Sequence, residues 1–309
     1  MEGNMNGASQ WWEGRMVWVS GANGSWGSEF CRQLLMYPVA RLVCFCRGEL
    51  RGAQLVESLG NEPRVRLHLG DIRDKQRLRE SVPHGAVVIH CAALKRVELA
   101  QGGFSPFEML DVNVGGTKAV VNMCLEKGVE KAFFVSSDKA VQPTTFYGAT
   151  KMMGEEMWLA ANQYSPAPRP PHFVVGRFGN ALGSTGSVLR VWEEQRRRGQ
   201  HALVYDPGQT RFVLVLKDMI HEVLYDWLPC NVPPHLYVPD LPACEIADLA
   251  TAYVGSALFW DIRYATRGPG EKRHEILSVG GRSSREAVRL TIEELRTMIH
   301  RAGMGVCDE

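Results

Sequence analysis

Met16-Val-Trp-Val-Ser-Gly-Ala-Asn-Gly-Ser-Trp-Gly27 decides the fold. An apolar run, Met16–Ser20, enters a turn with glycine at 21, 24 and 27, and a helical pattern, Ser25–Met36, follows at once. Glycines at this spacing allow a tight turn, close backbone approach to a pyrophosphate, and close packing of helix on strand. The pyrophosphate then sits at the positive end of the helix. Gly21, Asn23, Gly24, Ser25, Trp26 and Gly27 are therefore candidate dinucleotide contacts.

Working outward, further strand-like runs occur at Arg41–Arg47, Val65–Leu69, Ala86–Ala92, Lys131–Ser136 and His172–Phe178. Helical patterns at Pro106–Lys127 and Tyr147–Gln163 alternate with them. Continuous apolar strands alternating with helices predict a parallel sheet covered on both faces. The expected fold class is α/β, a Rossmann-type doubly wound sheet over residues 1–178 that also carries the chemical residues. After Phe178 the chain turns to glycine-rich loops and short strands, which predicts a smaller lobe over 179–309 with segments returning to the first domain.

Other cofactor candidates follow from strand ends. Asp71, after the third strand, can cap an adenine amino group, with Ile72 beside it. Cys91, Ala92 and Ala93 are small enough for a cofactor to lie flat against the sheet. The second strand ends in Arg47 with no aspartate for a ribose 2′-hydroxyl, which favours NADP, while Glu49 leaves NAD open.

Bulk properties exclude several classes. Among 309 residues, 45% are hydrophobic and 22% charged, and 35 Lys and Arg nearly balance 34 Asp and Glu. No basic field points to nucleic acid or to a membrane surface. No run approaches the ~20 apolar residues of a membrane helix, and the first residues do not read as a signal peptide. Eight cysteines without CxxC spacing predict reduced, buried thiols and a cytoplasmic protein. Nine histidines show no metal spacing, so no metal is expected.

The fifth strand ends in Ser136-Ser-Asp-Lys139, and Tyr147-Gly-Ala-Thr-Lys151 follows. Tyrosine and lysine four apart share a helix face. The ammonium favours phenolate, so Tyr147 can take a hydroxyl proton while hydride leaves the same carbon, with Ser137 as hydroxyl partner. Asp138 and Lys139 exceed what a dehydrogenase or simple epimerase needs. An extra acid and base suggest elimination of water after oxidation, with the hydride returning afterwards.

The segments HCAALKRV (90–97), SSDKAVQPTTFYGATK (136–151), GRFGNALGSTGSV (176–188), TRF (210–212) and PGEKRHE (269–275) occur in order. Together they resemble the extended short-chain dehydrogenases of polysaccharide biosynthesis, in particular the 5-inverting UDP-N-acetylglucosamine 4,6-dehydratases. The resemblance spans Met16 to Ser278. It implies Asp138 as acid, Lys139 as base at carbon 5, Tyr147 as oxidation base and Lys151 as its electrostatic partner. It implies further cofactor contacts at Lys95 and Asn113, beside Tyr147 and Lys151. For the sugar nucleotide it implies Lys95, Arg177, Asn180, Gly183, Ser184, Ser187, Val188, Arg211 and Glu271. The expected partners are a UDP-sugar and further copies of the chain.

Three departures stand out: the loop at Gln101–Pro106 is altered, Asp240 stands where lysine is usual, and Gly48 replaces an acidic residue. The alternatives are a retaining dehydratase, a sugar-nucleotide epimerase, or a catalytically silent sugar-nucleotide-binding protein.

Overall fold

A computed structural model describes residues 2–95, 105–164, 171–230, 235–255, 260–266 and 270–306. Residues 101–104, where one departure falls, lie outside the described residues. The strands in chain order are β1 (Met16–Ser20), β2 (Arg41–Cys46), β3 (Val65–Leu69), β4 (Val87–His90), β5 (Lys131–Val135), β6 (His172–Gly176), β7 (Asn180–Ala181), β8 (Ala202–Tyr205), β9 (Thr210–Leu214), β10 (Leu236–Tyr237), β11 (Ala243–Glu245) and β12 (Ile262–Ala265). The helices are α1 (Glu2–Trp12), α2 (Ser25–Leu34), α3 (Glu49–Ser58), α4 (Lys75–Ser81), α5 (Pro106–Leu110), α6 (Gly116–Lys127), α7 (Phe146–Ala160), α8 (Val188–Arg197), α9 (Leu216–Glu222), α10 (Ile246–Val254) and α11 (Ile292–Arg301).

The chain divides into two compact units. One comprises residues 1–136, 149–177 and 220–237, the other 137–148, 178–219 and 238–309. One of the breaks between the units falls between Arg177 and Phe178. Residues 137–148, with Ser137, Asp138, Lys139 and Tyr147, pack within the second unit, while 220–237 return to the first.

In the first unit a seven-stranded sheet runs β10-β6-β5-β4-β1-β2-β3, every pair parallel. Strand order reverses between β1 and β4, the switch point where such folds open a crevice at the carboxyl ends of the strands. Val17, Trp18 and Val19 of β1 and Val87, Val88 and Ile89 of β4 are wholly buried, as strands covered on both faces require. On one face Trp18 packs against Phe45 at 5.2 Å between ring centroids and Phe134 against Trp158 of α7 at 5.4 Å. Gly154 lets that helix close on the Phe134 ring, where an added Cβ would stand 2.8 Å away.

The expected single helix Pro106–Lys127 is interrupted. Between α5 and α6, Asp111–Gly115 forms a π-helical turn. The turn carries contacts distant in sequence: the buried Asn113 amide accepts from Leu94 N–H at 2.8 Å and donates to Leu94 O at 2.9 Å and Thr150 Oγ1 at 3.0 Å. The widened turn brings that side chain to three partners.

The second unit holds a three-stranded sheet, β11-β9-β7, and a parallel pair, β12-β8. Leu189, Trp192, Val204, Leu249, Leu295 and Ile299 form its core. Thr291 and Glu294 complete a capping box at the start of α11. Among the described residues no helix is long and apolar enough to cross a membrane.

At the switch point sits a buried imidazole. Ser20 Oγ accepts from Cys91 N–H at 3.2 Å and Ala92 N–H at 3.3 Å. Its own proton therefore goes to His90 Nδ1, 2.7 Å away. His90 Nε2–H must then donate to Thr117 Oγ1 at 3.0 Å, whose hydroxyl donates to Asn113 O. The ring stacks on Phe134 and Trp158 at 5.5 and 5.6 Å. Burial, with a smaller contribution from Lys151, pushes its pKa down to about 3. An unfolded histidine titrates near ~6.5. Between these values the unfolded chain binds a proton that the folded protein refuses. The stability is thus complete above ~6.5 and is lost as pH falls towards 3, by at most about 1.4 kcal/mol per unit. Urea unfolding from pH 7 to 4 should show this slope, and His90→Gln should flatten it by close to one proton.

Candidate active site

In the first unit the glycine turn has the dimensions of a dinucleotide cradle. Gly21 takes φ +62°, and a Cβ there would lie 2.9 Å from Ala92 Cα. A Cβ on Gly27 would meet Gly21 O at 2.5 Å and Ala22 Cα at 2.8 Å. Both positions need glycine because backbone passes backbone. Gly24, the N-cap of α2, has no side chain to occupy the first turn's amides, which are the donors that bind phosphate. Asn23 and Ser25 are partly exposed on this turn. Trp26 turns its ring to Phe30 and Phe133 at 5.4 and 6.1 Å, so its role there is packing.

Asp71 is held at both oxygens by Arg73, with Nε on Oδ1 and Nη2 on Oδ2, both at 2.8 Å. That bond is the main reason its carboxyl lies below the usual range, and Arg47 adds to the effect from the end of β2. Two guanidiniums thus serve one carboxylate where the sequence offered only Arg47, itself exposed. Arg73 was legible as Asp71-x-Arg73, yet the spacing alone carries no specificity. Ile72 faces inward, under Gly116. Cys91, Ala92 and Ala93 line the end of β4, partly exposed, and Lys95 is exposed. Asn113 clamps the backbone at Leu94, just before Lys95.

Lys151 is buried, donates to Val135 O at 2.6 Å and lies 4.0 Å above the Phe134 ring. Burial lowers its pKa to about 8. Arg177, expected at the sugar nucleotide, instead grips Glu155: Nε stands 2.9 and 3.0 Å from its two oxygens, and Nη2 2.6 Å from Oε2.

In the second unit the end of the fifth-strand segment forms a tight polar knot. Ser137 caps a 3-10 turn, Asp138–Ala140, accepting from Lys139 N–H and donating to Asp138 Oδ1 at 2.8 Å. Lys139 Nζ donates to Asp138 Oδ1 at 3.1 Å and Asn180 Oδ1 at 3.4 Å. Asn180 is fixed by its own bond to Phe212 O at 3.1 Å. Asp138 is fully buried, and its Oδ2 has no hydrogen-bond partner. Gly148, beside Tyr147 on α7, touches the Lys139 carbonyl so closely that only glycine fits. Tyr147 is partly buried; burial first, then the Asp138 charge, hold its phenol above the ordinary value near 10. Lys151 follows one helical turn along.

Further along the same unit, Gly183 has φ +70° and presses on Ala302 O, and Ser184 N–H donates to Ala181 O. Ser187 caps α8 by position, yet its Oγ is buried and unpartnered, ahead of Val188. Arg211 is buried and spends Nη1 on Thr210 O at 2.8 Å. Glu271 is exposed and accepts from Gln209. Asp240, the departure from lysine, is paired with Arg282 at 3.0 Å.

The family model described as polysaccharide biosynthesis protein matches residues 17–294. The chain belongs to this family. A family member from Campylobacter jejuni, an inverting UDP-N-acetylglucosamine 4,6-dehydratase, is 33% identical over 84% of this chain and 76% of its own. An uncharacterized membrane protein of Methanocaldococcus jannaschii is 32% identical over 94% of this chain and 86% of its own. Among solved structures, a dTDP-glucose 4,6-dehydratase of Streptomyces venezuelae with NAD bound superposes with a TM-score of 0.77, covering 93% of this chain and 96% of that one at 18% identity. The fold is that of the extended short-chain dehydrogenases, as the sequence led one to expect, and the family places the chain among their dehydratases and epimerases.

The glycine turn gives a direct check. Gly27→Ala would force Gly21 O or the start of α2 to move, because the obstruction is backbone. Calorimetric titration with nicotinamide dinucleotides should show affinity reduced by more than ~10-fold, with unfolding still cooperative; unchanged affinity would show that the cradle tolerates displacement.

Proposed function

We propose that the protein is an NADP-dependent UDP-N-acetylglucosamine 4,6-dehydratase that inverts carbon 5. It would act in the cytoplasm as a homo-oligomer. The observation that carries this reading is the Asp138–Lys139 pair, an acid and a base held at one strand end with a buried, unpartnered carboxylate oxygen. A simple epimerase has no use for either.

The cradle fits a dinucleotide, since Gly21 and Gly27 let the turn and α2 pack tightly while Gly24 leaves the first amides of α2 open to a pyrophosphate. Gly21, Asn23, Gly24, Ser25 and Gly27 would hold the diphosphate, Arg47 a 2′-phosphate, and Lys151 the nicotinamide ribose. A bound dinucleotide would supply the hydride acceptor for carbon 4 and the hydride donor for carbon 6. Tyr147 accepts the carbon 4 hydroxyl proton, and Lys151 supplies the positive charge that favours this. The burial and Asp138 charge that raise the Tyr147 phenol oppose the step. Asp138 must carry a proton before elimination, and in that state its opposition is gone.

With carbon 4 a ketone, the carbon 5 proton becomes acidic. Lys139 removes it, oriented by Asp138 and Asn180, and Asp138 gives its proton to the departing carbon 6 hydroxyl. The unpartnered Ser187 Oγ, with Ser184, Gly183, Val188 and Arg211, would take the UDP diphosphate, and Glu271 a ribose. Lys95 would face the sugar.

Incubation with UDP-N-acetylglucosamine in deuterated water tests the reading by NMR. Deuterium should enter at carbon 5 with inverted configuration. Lys139→Ala should abolish that exchange and product formation while nucleotide binding persists. Exchange at the normal rate in the variant would leave Lys139 a structural charge, whereas an unlabelled carbon 5 with the native protein would favour an epimerase.

The dinucleotide released on denaturation should be NADP by mass spectrometry, because Arg47 stands at the end of β2 with no aspartate there for a ribose 2′-hydroxyl. The superposed dTDP-glucose dehydratase holds NAD. Release of NAD alone would overturn the NADP assignment without touching the dehydratase reading.

A further inference from the structure

Helix α7 carries Tyr147, Lys151 and Glu155 at successive four-residue steps, which places them along one face. Lys151 is 4% and Glu155 1% exposed, so water answers neither charge. The Lys151 ammonium rests on Val135 O and the Phe134 ring of β5. The titratable groups around it are His90 and Cys91 at the end of β4, and Glu155. Burial first, then the Lys151 charge, keep His90 neutral, and burial pushes the Cys91 thiol well up, so Glu155 is the anion of the group.

Glu155 is itself gripped from β6 by three short bonds from Arg177. A buried ion pair is weak evidence for stability, since apolar residues of like volume often serve as well. What it does supply is a carboxylate of fixed position. Burial drives Lys151 towards the neutral amine, and Glu155 is the largest influence in the other direction.

We propose that Glu155 and Arg177 are a positioning pair for Lys151, a buried carboxylate locked in place one helical turn along α7 so that the ammonium stays charged. The proposal rests on the reading in which Lys151 is the electrostatic partner of Tyr147. Arg177 then serves a carboxylate of its own chain and is not spent on the phosphates of a ligand.

Lysine labelled with carbon-13 at Cε reports the charge of Lys151 directly, its resonance assigned by loss in Lys151→Met. In the native protein the midpoint should fall near 8. Glu155→Gln leaves Arg177 buried and unpaired, which risks unfolding, so Glu155→Gln/Arg177→Met removes both charges together. In either variant the midpoint should drop by about one unit or more, a tenfold loss of proton affinity. Glu155→Asp, which keeps the charge, should restore most of it.

The rate of carbon 4 oxidation is lost as pH rises through the Lys151 midpoint, so its alkaline limb should move to lower pH by the same amount. A midpoint unmoved in the double variant, or a rate reduced equally at every pH, would overturn the proposal. The titration needs no sugar, so failure of the dehydratase reading would be seen separately.

Discussion

The structure depends on two places where backbone must pass backbone at van der Waals distance. Gly21 lies against Ala92, and Gly27 lies against Gly21 O. A single methyl at either point would push α2 away from β1, or β1 away from the end of β4. Both movements would open the switch point of the sheet, where a dinucleotide has to be bound by amides and not by side chains. The Ser20–His90–Thr117–Asn113 chain secures the same junction from beneath with every polar atom satisfied. This matters because the surroundings are apolar, and an unpaired imidazole there would cost more than its hydrogen bonds return.

Charge is distributed on a different principle at the two ends of the chemistry. The Asp138–Lys139 knot is left incomplete, with one carboxylate oxygen bonded twice and the other not at all. Around Lys151 the arrangement is closed: a backbone carbonyl and a ring hold the buried ammonium, with Glu155 one helical turn along. An incomplete pair has capacity to act on a ligand, whereas an enclosed ion exerts its effect through its field.

The fold was legible because its decisive features are local. Apolar runs ending in glycine, and helical patterns beginning there, follow from spacing alone. The positions of Tyr147, Lys151, Asp138 and Lys139 as candidates were likewise legible, since strand end and helix face bring them into view. What escaped was set by contacts distant in sequence. Arg177 reads as a ligand-binding cation until Glu155, 22 residues earlier, is seen to hold it. Trp26 reads as part of the cofactor turn, yet packing with Phe133 claims its ring. The inclusion of 137–148 in the second unit has no signature in composition, because it arises from where Phe178, Asn180 and Gly270 return.

The π-helical turn at Asp111–Gly115 is, in effect, one residue more than an α-helix requires. Excising a single residue from it would restore the regular ladder and rotate everything before it by about 100° relative to α6. Asn113 would swing off Leu94 and Thr150, and the end of β4 would lose its clamp. That helix is therefore intolerant of length change at a site where its sequence looks unremarkable. A substitution there can be absorbed by neighbouring side chains, but a one-residue deletion cannot. A lineage carrying the extra residue holds an insertion that later sequence drift could not easily reverse.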